Sequence, residues 1–161
     1  MNKLLRYSFV ALLAMIVGSA WADEVTMKYS GTETSNMLAD GSNAAGTVGL
    51  DASTWSVVAD KGAASNAPGL NKAGDIRLYY NAGGSNTIEV KSLANATINK
   101  IAISFTDAQY SNVSIMVNGS AVEGREGVFE INASSFVLGN ANTSNVQVRI
   151  SQIVISYGGG T

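Results

Sequence analysis

Cysteine and histidine are both missing from this 161-residue chain. Without cysteine there is no disulfide framework, no thiolate nucleophile and no cysteine zinc site. Without histidine there is no imidazole for acid–base chemistry, which also excludes the Ser-His and Cys-His nucleophile systems. The fold must therefore be stabilised by core packing and by the hydrogen bonds of its secondary structure.

Positive charge and proline are scarce as well. The formal net charge is −2, only 14% of the residues are charged, and Pro68 is the single proline. Binding to a phosphate backbone needs clustered lysine and arginine, which the sequence does not offer. We therefore expect no nucleic-acid partner. The abundance of glycine, serine, asparagine and threonine is typical of a turn-rich β protein.

The first 22 residues have the pattern of a cleavable secretory signal peptide. Lys3 and Arg6 form a positive region, and the apolar run over residues 8–17 is shorter than the roughly 20 residues needed to span a bilayer. Ala20-Trp21-Ala22 then supplies the small-x-small cleavage pattern. The sequence predicts an exported chain that begins at Asp23 and is extracellular, on the cell surface or periplasmic, with no stable membrane insertion. Because no cysteine follows, a lipoprotein anchor is excluded.

Apolar and polar residues alternate with a period of two along the rest of the chain, which indicates β-strands with one buried face. No apolar stripe of helical period follows the signal peptide. About eight to ten short strands separated by turn signals predict an all-β, antiparallel β-sandwich of jelly-roll type. We expect one domain over residues 23–157, followed at 158–161 by a glycine-rich tail or linker. The predicted apolar faces contain Val25, Met27 and Tyr29; Ile76, Leu78 and Tyr80; Ile88 and Val90; Ile101, Ile103 and Phe105; Phe129 and Ile131; Phe136; Val146, Val148 and Ile150; and Ile153, Ile155 and Tyr157.

Three local features can be predicted in more detail. Asn118-Gly119 has the residues of a type I′ turn, which would pair Val117 with Ser120. A change of parity between Ile150 and Ile153 predicts a β-bulge or a corner near Ser151-Gln152.

The third local feature is a hairpin between the strand at residues 76–80 and the strand at residues 88–90. Pairing Leu78 with Ile88 would place Arg77 opposite Glu89 as a favourable cross-strand charge pair.

Four stretches of the chain resemble a known kind of module. They are residues 69–80 (GLNKAGDIRLYY), 86–90 (NTIEV), 99–105 (NKIAISF) and 148–157 (VRISQIVISY). Together they are similar to the jelly-roll-like, carbohydrate-binding-module-like β-sandwiches of secreted multidomain proteins from gut-type Gram-negative bacteria. The resemblance implies an exported β-sandwich, and glycan recognition is the expectation that comes with it. It is carried by a hydrophobic pattern, so it transfers no catalytic or ligand-binding residue.

Aromatic side chains on the outer surface are the candidate ligand-binding residues, because sugar rings present apolar C–H faces that stack on flat rings. Strand parity places Tyr79 outward beside Arg77, whose guanidinium is a candidate to hold a sugar hydroxyl, and Trp55 and Tyr110 are the other candidates. The alternative interpretation is that Trp55 belongs to the core and that Tyr79 only covers the sheet.

Catalysis is not expected. Glu89 is predicted to face Arg77, and Glu123 and Glu126 flank a turn, so no pair of carboxylates is predicted on one concave strand face, as a jelly-roll glycosidase needs. We expect no cofactor. A structural calcium ion is the one metal left open, at residues 40–43 or in the loop after Asp60, although neither has EF-hand spacing.

Two functions of different classes remain. The first is a secreted, non-catalytic module that binds glycan by aromatic stacking on a rigid sandwich. The second is a structural or adhesive cell-surface module with no small-molecule site. A face that combines Tyr79 with another exposed aromatic ring would favour the first, and a uniformly polar surface with pairable strand edges would favour the second.

Overall fold

The computed structural model describes residues 22–37, 41–84, 86–106, 114–123 and 126–158. Two antiparallel sheets form a sandwich, as the alternation predicts, and one 3-10 turn at Ala45–Val48 is the single helical segment of the described residues. The strands are β1 (Asp23–Met27), β2 (Ser35–Asn36), β3 (Trp55–Asp60), β4 (Gly69–Asn71), β5 (Asp75–Leu78), β6 (Thr87–Ser92), β7 (Thr97–Phe105), β8 (Ser114–Val117), β9 (Ser120–Glu123), β10 (Glu126–Ala133), β11 (Ser135–Asn140) and β12 (Val148–Gly158).

The chain passes between the two sheets several times. The larger sheet has the order β10-β7-β12-β5-β4-β2, and β1 pairs with β12 beyond the stretch that β5 occupies. The smaller sheet has the order β3-β6-β11-β8-β9. From β3 onward the chain changes sheet at every connection except the β4–β5 and β8–β9 hairpins, so most strand pairs are distant in sequence.

The core lies between the inward faces of both sheets. Trp55 of the smaller sheet meets Tyr157 of the larger one edge to face, with ring centroids 5.1 Å apart. The predicted apolar faces supply most of the core, since Ile76, Leu78, Ile88, Val90, Ile101, Ile103, Phe136, Ile150, Ile153 and Ile155 are all buried.

The predicted hairpin at Asn118-Gly119 is confirmed. Val117 lies opposite Ser120, and φ is 49° at Asn118 and 82° at Gly119. Both angles are in the left-handed region that a type I′ turn requires. Asn118 is also held to β11, because its backbone N–H donates to the Val137 carbonyl oxygen (2.9 Å) and its Oδ1 accepts from the Val137 N–H (2.8 Å).

The predicted bulge in the last strand is confirmed as well. The pairing of β12 with β7 shifts register between Ile150 and Gln152. The extra residue, Ser151, donates from its hydroxyl to the Ser104 carbonyl oxygen at 3.0 Å. Because one residue is added, Ile150 and Ile153 both reach the core although their parity differs.

The predicted pairing of Leu78 with Ile88 is wrong. β5 lies in the larger sheet between β4 and β12, whereas β6 lies in the smaller sheet between β3 and β11. Arg77 therefore faces Gly69 and Arg149, and Glu89 is exposed on the other sheet. Alternation fixes which face of a strand is buried but not which strand it pairs with, and the connection between β5 and β6 crosses from one sheet to the other.

Candidate functional site

The candidate site lies on the outer face of the larger sheet, where β5 runs between β4 and β12. Ile76 and Leu78 point into the core, so Asp75 and Arg77 point outward, and Tyr79 follows at the same parity just beyond the end of β5. The outward position predicted for Arg77 is confirmed, and Tyr79 is half-buried.

Tyr79 rests on a position that has no side chain. A Cβ atom added to Gly69 would lie 3.0 Å from the Tyr79 hydroxyl oxygen and 3.3 Å from its Cε2 atom. The hydroxyl end of the ring therefore reaches over β4, directly beside Arg77, which pairs with Gly69. A larger residue at position 69 would displace the ring.

The backbone of Tyr79 is fixed by a buried asparagine. The Oδ1 atom of Asn86 accepts from the Tyr79 N–H at 2.7 Å, and the Asn86 N–H donates to the Tyr79 carbonyl oxygen at 3.2 Å. The Nδ2 atom of Asn86 donates to the carbonyl oxygens of Lys61 and Asn66, both at 2.9 Å. One side chain thus joins the end of β5 to the start of β6 and to the loop after β3.

A second buried asparagine holds the preceding residue. Asn140 donates from Nδ2 to the carbonyl oxygens of Leu78 (3.0 Å) and Val146 (2.7 Å). Its Oδ1 accepts from both the backbone and the side chain of Asn142. The segment from Leu78 to Tyr79 is therefore anchored by Asn140 of β11 and by Asn86, which directly precedes β6, so the backbone that carries the Tyr79 ring is fixed.

A cluster of charges lies beside Tyr79. Asp75 is only 1% exposed, and its Oδ2 atom accepts from the Arg77 Nε at 3.2 Å. The Nε of Arg149, directly across from Arg77, lies 3.9 Å from the same oxygen and donates to the Gln147 Oε1 at 3.1 Å. The Oδ1 atom of Asp75 is buried without a hydrogen-bond partner among the described residues. We call Tyr79, Arg77, Asp75, Gly69 and Arg149 the Tyr79 surface.

The half-buried aromatic side chains of the described residues fall into two groups. Phe105, Phe129 and Tyr157 pack against the core, whereas Tyr79 and Tyr80 do not. Tyr80 was expected to point inward, but β5 ends at Leu78, so strand alternation no longer governs its direction. Two consecutive tyrosines thus remain partly available at this end of the sheet.

The other predicted aromatic candidates are not at this surface. Trp55 is 3% exposed, so an exposed stacking role for it is wrong, and the alternative that it belongs to the core is correct. Its ring is buried because β3 directs it between the sheets toward Tyr157. Tyr110 lies outside the described residues.

Of the predicted acidic positions, the structure describes the side chains of Glu89 and Asp60, and both belong to the smaller sheet. Glu89 lies on the smaller sheet, whereas its expected partner Arg77 lies on the larger sheet. The Oδ1 atom of Asp60 accepts from the Gly62 N–H at 2.8 Å, so Asp60 stabilises its own turn; Asp40 lies outside the described residues. Among residues whose positions are described, no group of three or more metal-ligating side chains occurs, and no helix is long and apolar enough to cross a membrane.

Sequence reasoning missed Asp75, Gly69 and Arg149. Asp75 could have been found, because it is two residues before Arg77 on one strand and therefore on the same face. Arg149 and Gly69 could not, since their proximity depends on the order β4-β5-β12.

No protein-family model and no curated protein matches this chain. Among solved structures it is similar to one from a study of the Ruminococcus flavefaciens cellulosome and its expansion in glycan recognition, with 14% identity and a TM-score of 0.45 over 85% of this chain and 96% of that one. It is also similar to the Phanerochaete chrysosporium exo-β-1,3-galactanase bound to galactose, with 12% identity and a TM-score of 0.38 over 84% of this chain. A third similarity is to the catalytic unit of a GH87 α-1,3-glucanase from Streptomyces thermodiastaticus, with 15% identity and a TM-score of 0.35 over 85% of this chain. The chain spans 30% of the galactanase and 27% of the glucanase unit.

Proposed function

We propose that this protein is an exported, non-catalytic module that binds glycan on the Tyr79 surface. The observation that carries the proposal is the placement of Tyr79, a partly exposed ring that does not pack in the core and whose backbone is clamped by Asn86. An aromatic ring offers an apolar face to sugar C–H groups and a polar tip for a hydroxyl. Because its backbone is already fixed, little backbone freedom is lost at this residue on binding.

The remaining parts of the proposal follow from the sequence. Residues 1–22 act as a signal peptide and are removed. The β-sandwich domain then begins at Asp23 and includes Gly158, the last residue of β12, and a glycine-rich tail or the start of a linker follows it. The protein functions outside the cytoplasm, as a jelly-roll-type sandwich without catalytic residues. The resemblance of residues 69–80 and 148–157 to carbohydrate-binding-module-like sandwiches agrees with this proposal, since these stretches contain β5 and β12 of the Tyr79 surface.

A structural or adhesive role is the second candidate, and the edge strand β10 favours it. β10 ends the larger sheet, pairs in the sheet order only with β7, and carries Val128, which is 47% exposed. An apolar residue on an edge strand can support pairing with another chain.

Glycan-array screening of the exported protein separates the two roles. We expect retention on at least one glycan class, lost in Tyr79→Ala, with a change in unfolding free energy of at most about 1 kcal/mol. Gly69→Ala should weaken the same binding because the added Cβ displaces the Tyr79 ring. Gly46→Ala is the matched control, because a Cβ there meets no atom within 4 Å. Unchanged retention in Tyr79→Ala, or no retention by the original protein, would contradict the proposal.

A further inference from the structure

We infer that Arg77 recognises an anionic group of the glycan, so that the Tyr79 surface selects acidic glycans; this inference rests on the proposed function. Arg77 is 19% exposed at its side chain, and its single hydrogen bond to the described part of the chain uses Nε. Because the guanidinium is planar and its Nε faces Asp75, the terminal nitrogens are left to donate elsewhere. Two parallel donors match the two oxygens of a carboxylate, or two oxygens of a sulfate.

Asp75 positions this guanidinium. The Asp75 side chain is 1% exposed, and its Oδ1 atom has no hydrogen-bond partner among the described residues. Burying such a carboxylate lowers the stability of the folded protein unless nearby positive charges compensate for it. It lies within reach of the Nε atoms of two neighbouring arginines, Arg77 and Arg149, which face each other across β5 and β12. The positive charges of Arg77 and Arg149 repel each other across the two strands, and the carboxylate of Asp75, which lies near both, offsets that repulsion. Asp75 therefore holds Arg77 in a fixed orientation at the sheet surface.

Tyr79 and Arg77 are correctly spaced for one ligand. Arg77 lies opposite Gly69 in the β4–β5 pair, and a Cβ atom at Gly69 would lie 3.0 Å from the Tyr79 hydroxyl oxygen, so the end of the Tyr79 ring is close to Arg77. A ring stacked on Tyr79 can thus direct a carboxylate or sulfate substituent over Arg77. The protein as a whole is acidic, with a formal net charge of −2, so general attraction of polyanions is weak and recognition depends on this local contact.

The test compares two glycans that differ only in charge. Isothermal titration of the full exported protein with an oligogalacturonate and with its methyl ester, at neutral pH and low salt, measures the charge preference. We expect the acid to bind at least about tenfold more tightly than the ester, as for one charge-assisted contact. A sulfated galactan oligosaccharide, compared with its desulfated form, tests sulfate in the same way, and tighter binding of either charged glycan than of its neutral counterpart supports the inference.

Variants assign the preference to Arg77. Arg77→Gln should abolish the preference, so that the acid and the ester bind with equal affinity, and Arg77→Lys should retain only part of the preference, because the fork of donors is lost. Lys91→Gln is the matched control, since Lys91 is exposed on the outer side of the smaller sheet. If removing Arg77 alone prevents folding because Asp75 loses its partner, Asp75→Asn combined with Arg77→Gln removes both charges together. Thermal unfolding of each variant verifies the fold.

The outcomes separate this inference from the proposed function. If the acid and the ester bind with equal affinity and Tyr79→Ala abolishes the binding of both, the role of Arg77 is overturned, whereas the proposal that Tyr79 binds glycan stands. A preference for the acid that persists in Arg77→Gln also overturns it. Absence of binding to any glycan overturns both proposals.

Discussion

Single polar side chains determine the geometry of the Tyr79 surface. Asn86 and Asn140 are buried, and each uses its amide to join backbone groups of different strands or loops. Buried amides are retained at low cost only when their hydrogen bonds are made, so these two residues specify one arrangement of the chain.

We expect Asn86→Ala to be strongly destabilising. It leaves the Tyr79 N–H and the carbonyl oxygens of Lys61 and Asn66 without this partner, at a cost of about 3 kcal/mol of unfolding free energy. Asn81→Ala is the control, because the Asn81 side chain bonds to Ala63 and Gly83 at an exposed position, and should cost less than about 1 kcal/mol. Urea unfolding measures both; equal losses would show that Asn86 has no special role.

At this scale the sequence predicts the direction of a side chain but not its partners. The outward position of Arg77 and the inward positions of Ile76 and Leu78 follow from alternation alone. The burial of Trp55 and the contact of Tyr79 with Gly69 do not, because they depend on residues far away in sequence.

At the scale of elements, local backbone chemistry accounts for the turns. Gly119 adopts a φ of 82°, and a Cβ there would meet no atom within 4 Å. Gly119→Val should therefore be destabilised by its backbone conformation and not by a clash, by about 1–2 kcal/mol. Gly119→Asn should recover most of that loss, because asparagine tolerates this region. Chemical denaturation of the three proteins checks this, and a valine variant as stable as the original would contradict it.

The turn before β3 gives a pH-dependent prediction. The pKa of Asp51 is held below its ordinary value because its carboxylate accepts hydrogen bonds from the backbone N–H and then the hydroxyl of Ser53 (2.9 and 2.7 Å). A depressed pKa in the folded state stabilises the protein above the unfolded-state pKa, and this contribution is lost as the pH falls through the folded-state value. The unfolding free energy of the original protein should exceed that of the Asp51→Asn variant at neutral pH, and this difference should decrease below about pH 4. An advantage that grows on acidification would contradict the assignment.

Elements were predictable where the signal is contained in a few neighbouring residues. The type I′ turn at Asn118-Gly119 and the bulge at Ser151 are local features and were predicted correctly. The strands that pair with β5 could not be predicted, because every strand with one buried face shows the same alternation of apolar and polar residues. In the structure β5 pairs with β4 and β12, and Asn86 bonds to Tyr79 directly before β6 enters the other sheet.

At the scale of the whole molecule, the two sheets should unfold together because they share one core. Trp55 is the single tryptophan after residue 22, and its contact with Tyr157 joins the sheets. We expect its fluorescence and the far-UV circular dichroism of the exported protein to change at the same denaturant concentration, with a folded spectrum that is almost wholly β. Separate midpoints, or a substantial helical signal, would contradict a single sandwich.

The most direct test of glycan recognition by the Tyr79 surface is a nitrogen–proton NMR titration with an oligosaccharide retained in the array. If the ring of Tyr79 is the platform, the largest amide shift changes should occur at Gly69, Arg77 and Tyr79, which meet on the outer face of β4 and β5. The amides of Glu89 and Lys91, on the smaller sheet, should stay unchanged. Shift changes centred on the smaller sheet, or none on β4 and β5 at saturation, would show that this surface does not bind glycan.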